Sequence, residues 1–149
     1  MGLERVKLMK TKVIAFDVYG TILMTTDYDN CVPFRSGFVE FAEKCIEMGI
    51  ALVTSSDNCI PFTKNDLNMS GVPLDLFYDH YQMEKMQPKS FNLIYDYFGI
   101  KPEELHVFGD RPECDIDPAL KLGCVATLVP VFDSLGDSFN WMSMLPMVT

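Results

Sequence analysis

The sequence predicts an α/β protein, a parallel sheet doubly wound in three layers, and three observations predict it. Short apolar runs alternate with stretches whose apolar residues recur at helical spacing. The intervening helices are long enough to serve as right-handed crossovers between parallel strands. No internal repeat or low-complexity linker interrupts the alternation, so residues 1–149 read as one domain.

Each element has its own justification. Val13 to Phe16 is an apolar run closed by a charge, the pattern of a buried strand. Gly20 to Pro33 is polar and turn-rich, an irregular excursion or a hairpin. Ser36 to Glu47 places Phe38, Val39, Phe41, Ala42, Cys45 and Ile46 at the spacing of one buried helix face, and Gly49 stops it. Ile50 to Val53 is the second strand, running into Thr54-Ser55-Ser56-Asp57. Ile60 to Met69 reads as a helix and Leu76 to Tyr78 as a short strand. Pro88 to Phe98 is helical with Phe91, Ile94, Tyr95 and Phe98 on one side, and Gly99 ends it. His106 to Phe108 is a strand, Asp115 to Leu122 a helix closed by Gly123, Val125 to Val129 the last strand, and Phe139 to Met144 a terminal helix.

Composition narrows the function classes. A hydrophobic share of 48% with 22% charged residues is that of a globular chain rather than a disordered one. The apolar runs are too short to span a bilayer, and the basic Met1 to Lys12 lacks the apolar stretch of a secretory signal, so the expected location is the cytoplasm. A net charge of −9 argues against nucleic acid as a partner. Five cysteines without a CxxC pair and two histidines without a ligand-spaced partner argue for reduced thiols rather than a zinc site or disulfides.

In a doubly wound sheet, ligands lie beyond the carboxyl ends of the strands. The first strand ends at Asp17, the second at Thr54 and Ser55, and the fourth at Asp110, with Asp115 five residues on; Lys85 precedes a helix. Carboxylates gathered from neighbouring strand ends make an oxygen-rich site suited to magnesium. A hydroxyl and an ammonium on the other side hold phosphoryl oxygens by hydrogen bonds and charge. Taken singly, each residue has an ordinary reading. Asp17 suits a turn, Thr54, Ser55 and Asp57 suit helix caps, Lys85 suits a solvated surface, and Asp115 and Asp117 suit a helix N-terminus. His80 and His106 read as packing residues. The combination gives the functional reading its weight.

These segments resemble the four motifs of the haloacid dehalogenase-like superfamily, in order and spacing, from Val13 to about Pro130. VIAFDVYGTIL at Val13 to Leu23 is similar to the first, ALVTSSD at Ala51 to Asp57 to the second, KMQPKSF at Lys85 to Phe91 to the third, and HVFGDRPECDIDPALKLGC at His106 to Cys124 to the fourth. The resemblance implies a Rossmann-like core and a magnesium-dependent phosphohydrolase. Asp17 would be the nucleophile, Thr54 with Ser55 would bind phosphate, and Lys85 would steady nucleophile and transferring group. Mg2+ would be held by Asp17, the Tyr19 carbonyl, Asp110 and Asp115.

One position departs from the pattern. Phosphatases of the superfamily carry a second Asp two residues after the nucleophile, as proton donor and base; here it is Tyr19. A phenol with an ordinary pKa near 10 is a poor base at neutral pH. Tyrosine there is similar to the family's 2-haloacid dehalogenases, in which the aspartate attacks carbon. The retained magnesium carboxylates and the short stretches between motifs, which leave no room for a cap domain, count against that reading. A capless site within the superfamily goes with macromolecular substrates, or with oligomers whose neighbour acts as a lid. Tyr28, Cys31 and Phe34 of the excursion are candidates for its entrance, and Arg111 either touches substrate or pairs with surface acids. The expected partner is a phosphorylated small molecule or macromolecule, with the oligomeric state open. The competing class is a binding or regulatory protein with little catalysis.

Overall fold

The computed structural model describes residues 10–26 and 32–149. Five strands form one wholly parallel sheet: β1 (Val13–Phe16), β2 (Ala51–Ser56), β3 (Asp79–Gln82), β4 (Leu105–Gly109) and β5 (Val125–Leu128), in the order β3-β2-β1-β4-β5. The order reverses at β1, so β2 and β4 flank it, with Phe16 in register with Thr54 on one side and Phe108 on the other. The helices are α1 (Phe38–Glu47), α2 (Ile60–Ser70), α3 (Asn92–Phe98), α4 (Asp117–Leu122) and a terminal turn α5 (Leu145–Val148).

Strand alternation divides the core into two layers. Ile14, Phe16, Leu52 and Phe108 face α1, α2 and the C-terminal segment. Val13, Ala15, Val53, Leu105 and Val107 face α3 and α4. On the first face Trp141 is buried against the rings of Phe16, Phe38, Phe41, Phe108 and Phe139, with centroids 4.8–5.9 Å away. Such aromatic pairs add about 0.5–1.5 kcal/mol each beyond the area they bury. They pin the chain end across α1. This makes the three-layer architecture that the alternation of elements predicts.

Several elements differ from the sequence reading, and the helix expected from Pro88 begins only at Asn92, which leaves Pro88 to Phe91 in a loop. The strand expected at Leu76 to Tyr78 is a 3₁₀ turn over Leu74–Leu76, and the strand follows at Asp79–Gln82. Leu76 and Phe77 are apolar because they plug the α1-side core from a turn. The edge strand itself is polar, since it lies half in solvent. The terminal helix begins as a 3₁₀ turn at Trp141–Met144 before α5. In the excursion after β1, Leu23 bridges to Phe34 in antiparallel sense and Met24 N–H donates to the Pro33 carbonyl at 2.9 Å. The described ends of the excursion therefore pair with each other in antiparallel sense. Tyr28 and Cys31 lie outside the described residues, and Phe34 packs against the core.

Candidate active site

Asp17 leaves the end of β1 two residues after Ala15, on the face that meets α3 and α4, and it is almost fully buried. Asp110 follows β4. Asp115 is returned to the same point by a π-helical turn over Pro112–Ile116, in which its N–H donates to the Arg111 carbonyl at 2.8 Å. The Arg111 N–H in turn donates to Asp115 Oδ2 at 3.1 Å. A π turn places a side chain where an α-helical turn would not, and such turns concentrate at functional sites. One oxygen from each of Asp17, Asp110 and Asp115 lies within 4.8 Å of the others.

Two glycines make this approach feasible. Gly20 has φ +91°, and a β-carbon on it would collide with the Asp110 carboxylate. A β-carbon on Gly109 would lie 2.5 Å from the Asp115 side chain. Neither contact tolerates a side chain.

The cation among these acids is Lys89. Its ammonium lies 2.8 Å from Asp17 Oδ1 and 2.6 Å from Asp115 Oδ1, and its side chain is inaccessible. Burial alone would push its pKa down, but Asp17 and Asp115 outweigh that and hold it above the ordinary lysine value. Like charges and burial push the acids the other way. Asp110 is raised to about 8 by burial and by its hydrogen bond and charge interaction with Asp17. Asp115 is raised to about 6 by burial and by the Asp17 charge, with Lys89 opposing. Three crowded carboxylates against one lysine leave an excess of negative charge, the condition that a divalent cation relieves.

Lys85, expected to steady the nucleophile, is exposed, and the lysine that reaches Asp17 is Lys89. Lys85 belongs to a solvated run with Glu84, Met86 and Gln87. Lys89 follows Pro88 at the foot of α3, and its N–H donates to the Cys114 carbonyl at 3.0 Å, which docks that loop on the π turn. Its closeness to the buried Phe91 was the signal for it in the sequence.

Thr54, expected to bind phosphate together with Ser55, already has a partner. Its hydroxyl lies 2.8 Å from His80 Nδ1, on the α1 face of the sheet. Ser55, one residue on, shares the face of Val53 and Asp17, and its buried hydroxyl has no partner among the described residues. The two-residue period of a strand decides between them.

Tyr19 is half-buried, and its hydroxyl donates to Asp66 of α2 at 2.5 Å. Burial and then Asp66 raise its pKa far above the ordinary tyrosine value, so it is neither an acid nor a base near neutral pH. Thr21, which sequence reasoning passed over, reaches both Asp110 Oδ1 at 3.2 Å and Asp17 Oδ2 at 3.4 Å. Arg111 pairs with Asp57, Nη2 to Oδ2 at 3.0 Å, rather than standing free.

The sequence matches no protein-family model and no curated protein. Solved structures do match. A haloacid dehalogenase-superfamily hydrolase from Ehrlichia chaffeensis superposes with TM-score 0.72 at 13% identity, over 95% of this chain and 98% of that one. A hydrolase of the same family from Deinococcus radiodurans, with bound phosphate and sodium, gives 0.72 at 13% identity over 94% and 96%. The L-2-haloacid dehalogenase of Xanthobacter autotrophicus, with chloropropionic acid covalently bound, gives 0.66 at 11% identity over 80% and 78%. The chain therefore has the Rossmann-like core fold of the haloacid dehalogenase-like hydrolases.

Proposed function

We propose that this chain is a capless member of the haloacid dehalogenase-like superfamily and hydrolyses phosphate monoesters or acyl phosphates, with Asp17 as the nucleophile. One observation carries the reading: Asp17, Asp110 and Asp115, from two neighbouring strand ends, bring one oxygen each within 4.8 Å of the others, and the buried Lys89 pairs with Asp17 and Asp115. The phosphate bound to the Deinococcus structure is consistent with it.

The three carboxylates fit a divalent cation, for which Mg2+ is the natural choice with all-oxygen ligands, and the backbone carbonyl of Tyr19 would complete the protein's share. Such an ion, when bound, offsets charge on the phosphoryl oxygens. The remaining chemistry belongs to the chain. One Asp17 oxygen attacks phosphorus, the bond to the leaving oxygen breaks, and an aspartyl-phosphate forms that water then cleaves. Lys89 holds the Asp17 carboxylate in orientation and supplies a fixed positive charge as phosphoryl charge develops. The Ser55 hydroxyl, on the same face and unpartnered among the described residues, donates to a phosphoryl oxygen. Thr21 braces Asp110 and Asp17.

Tyr19, which stands where the family's proton donor would be, does not supply the leaving-group proton, because its hydroxyl is committed to Asp66. The enzyme is therefore expected to favour substrates with good leaving groups, such as aryl or acyl phosphates. The test is magnesium-dependent phosphate release from para-nitrophenyl phosphate by the purified chain, lost in Asp17→Asn. Equal rates for the two proteins would sink the proposal. The same Tyr19 contact favours a second reading, a phosphate-binding regulatory protein with little turnover. Magnesium-dependent phosphate binding without hydrolysis is its signature, whereas halide release from a 2-haloacid without metal would point to dehalogenation.

A further inference from the structure

The order β2-β1-β4 gives the Asp57–Arg111 ion pair a particular location. Asp57 follows the last residue of β2, and Arg111 lies two residues past the end of β4. A bond between them at 3.0 Å crosses the carboxyl end of β1, the strand that carries Asp17. A third loop joins it. Met86, in the loop between β3 and α3, holds a left-handed φ of 59° and sets its sulfur 3.7 Å from Arg111 Nη1. Three of the loops at this end of the sheet therefore meet at one guanidinium.

That guanidinium is incompletely used. Asp57 takes one Nη2 donor and the Met86 thioether is a weak acceptor, while a planar guanidinium has five donors arranged to grip an oxyanion with two of them. The side chain is 30% exposed, open enough for an incoming group to reach. Partial burial opposes its charge, but the Asp57 bond and the negative charges of Asp57 and Asp17 outweigh it and keep the group cationic. Deeper in, Lys89 is already consumed by two carboxylates. Arg111 is thus a partly exposed cation held across the strand ends by Asp57 and within reach of the Asp17 charge.

We infer that Arg111 is a specificity residue that selects phosphate esters whose leaving group bears a second acidic group, a carboxylate or a further phosphate, with Asp57 holding the guanidinium across the site until that group displaces it. This rests on the phosphohydrolase reading above and deepens it. The Arg111 backbone N–H that supports Asp115 is kept in Arg111→Gln, so that substitution reports on the guanidinium.

The test compares 4-carboxyphenyl phosphate with phenyl phosphate, in magnesium, for the wild-type chain, Arg111→Gln and Asp57→Asn. Taking the ratio of the two esters within each protein cancels their intrinsic reactivities. Arg111→Gln is expected to lower kcat/KM for the carboxylated ester roughly ten-fold further than for phenyl phosphate, mostly through KM, as loss of a charge-assisted pair requires. Asp57→Asn is expected to shift the ratio the other way by lowering KM for the carboxylated ester. Equal losses on both esters in Arg111→Gln, or an unchanged ratio, overturn the inference while leaving the phosphohydrolase reading intact. If the wild-type chain hydrolyses neither ester, that reading fails separately. Calorimetric binding of phenylphosphonate and 4-carboxyphenylphosphonate then decides the role of Arg111, and a preference that does not depend on the arginine overturns it.

Discussion

The Lys89 ammonium lies 2.8 Å from Asp17 Oδ1, although the two residues are far apart in sequence and each is buried. An ion pair withdrawn from water is costly to assemble and more costly to break by removing one partner. Its other contact, to Asp115 at 2.6 Å, ties the end of β1 to the π turn after β4. The position of the lysine is therefore a property of the whole sheet edge.

Lys89→Met should abolish phosphate release and lower stability near neutral pH by about 3 kcal/mol, because two buried carboxylates lose their counter-charge. Lys85→Met should change stability by less than about 0.5 kcal/mol, as exposed substitutions do. Denaturant melts and phosphatase assays of the two variants side by side check this. A larger effect at Lys85 would restore it as the site lysine.

Tyr19→Phe removes the bond to Asp66 and should cost about 1–2 kcal/mol of stability. If the hydroxyl takes no part in proton transfer, turnover of an aryl phosphate falls far less than the roughly hundred-fold that removal of a general acid causes. Steady-state kinetics on para-nitrophenyl phosphate decide it.

Metal-free protein should lose stability as pH rises from about 4 to about 8 through Asp110 and Asp115. Their folded pKa values, about 8 and about 6, stand above the ordinary 3.8, so the folded chain holds protons that the unfolded chain has released. The contribution is full below the unfolded value and vanishes as pH passes the folded ones. Magnesium binds the deprotonated acids, so its effect on Tm should grow across the same window. A magnesium shift as large at about pH 5 as at about pH 8 would contradict the assignment.

His106 acts in the opposite sense. It is buried against Phe108, its Nε2 lies 2.7 Å from Thr127 Oγ1, and burial lowers its pKa to about 4 from 6.5. The folded chain keeps it neutral, so stability falls as pH drops from 6.5 toward 4, by roughly 3 kcal/mol over the whole span. Melts of the wild-type chain and His106→Gln in magnesium, between pH 7 and pH 4, isolate the effect, and the variant should show the shallower acid limb.

Gly20→Ala should lose at least about 2 kcal/mol and weaken magnesium binding, since a left-handed φ and the Asp110 carboxylate both exclude the new methyl. Tm and magnesium titration of the variant test both halves. An unperturbed metal titration would separate the glycine from the site.

The sequence by itself determined the class of fold and the acids of the candidate site. Apolar runs such as Val13 to Phe16 and the spaced Phe38, Phe41 and Cys45 face a core in almost any packing, so hydrophobic period and strand ends are legible without coordinates. Asp17, Asp110 and Asp115 were readable because each adjoins such an element. What only the tertiary structure decided is which of two equivalent neighbours is buried on the side of the sheet that carries Asp17. Lys85 and Lys89 share one loop and one charge, and only the docking of that loop on Cys114 buries the second. Thr54 and Ser55 share one strand end and alternate between its faces, and only the packing of the sheet sets Thr54 beside His80 and leaves Ser55 on the opposite face. Local pattern records that a side chain is polar. Whether it faces water, a neighbouring strand or the site depends on long-range packing, which no short window of sequence contains.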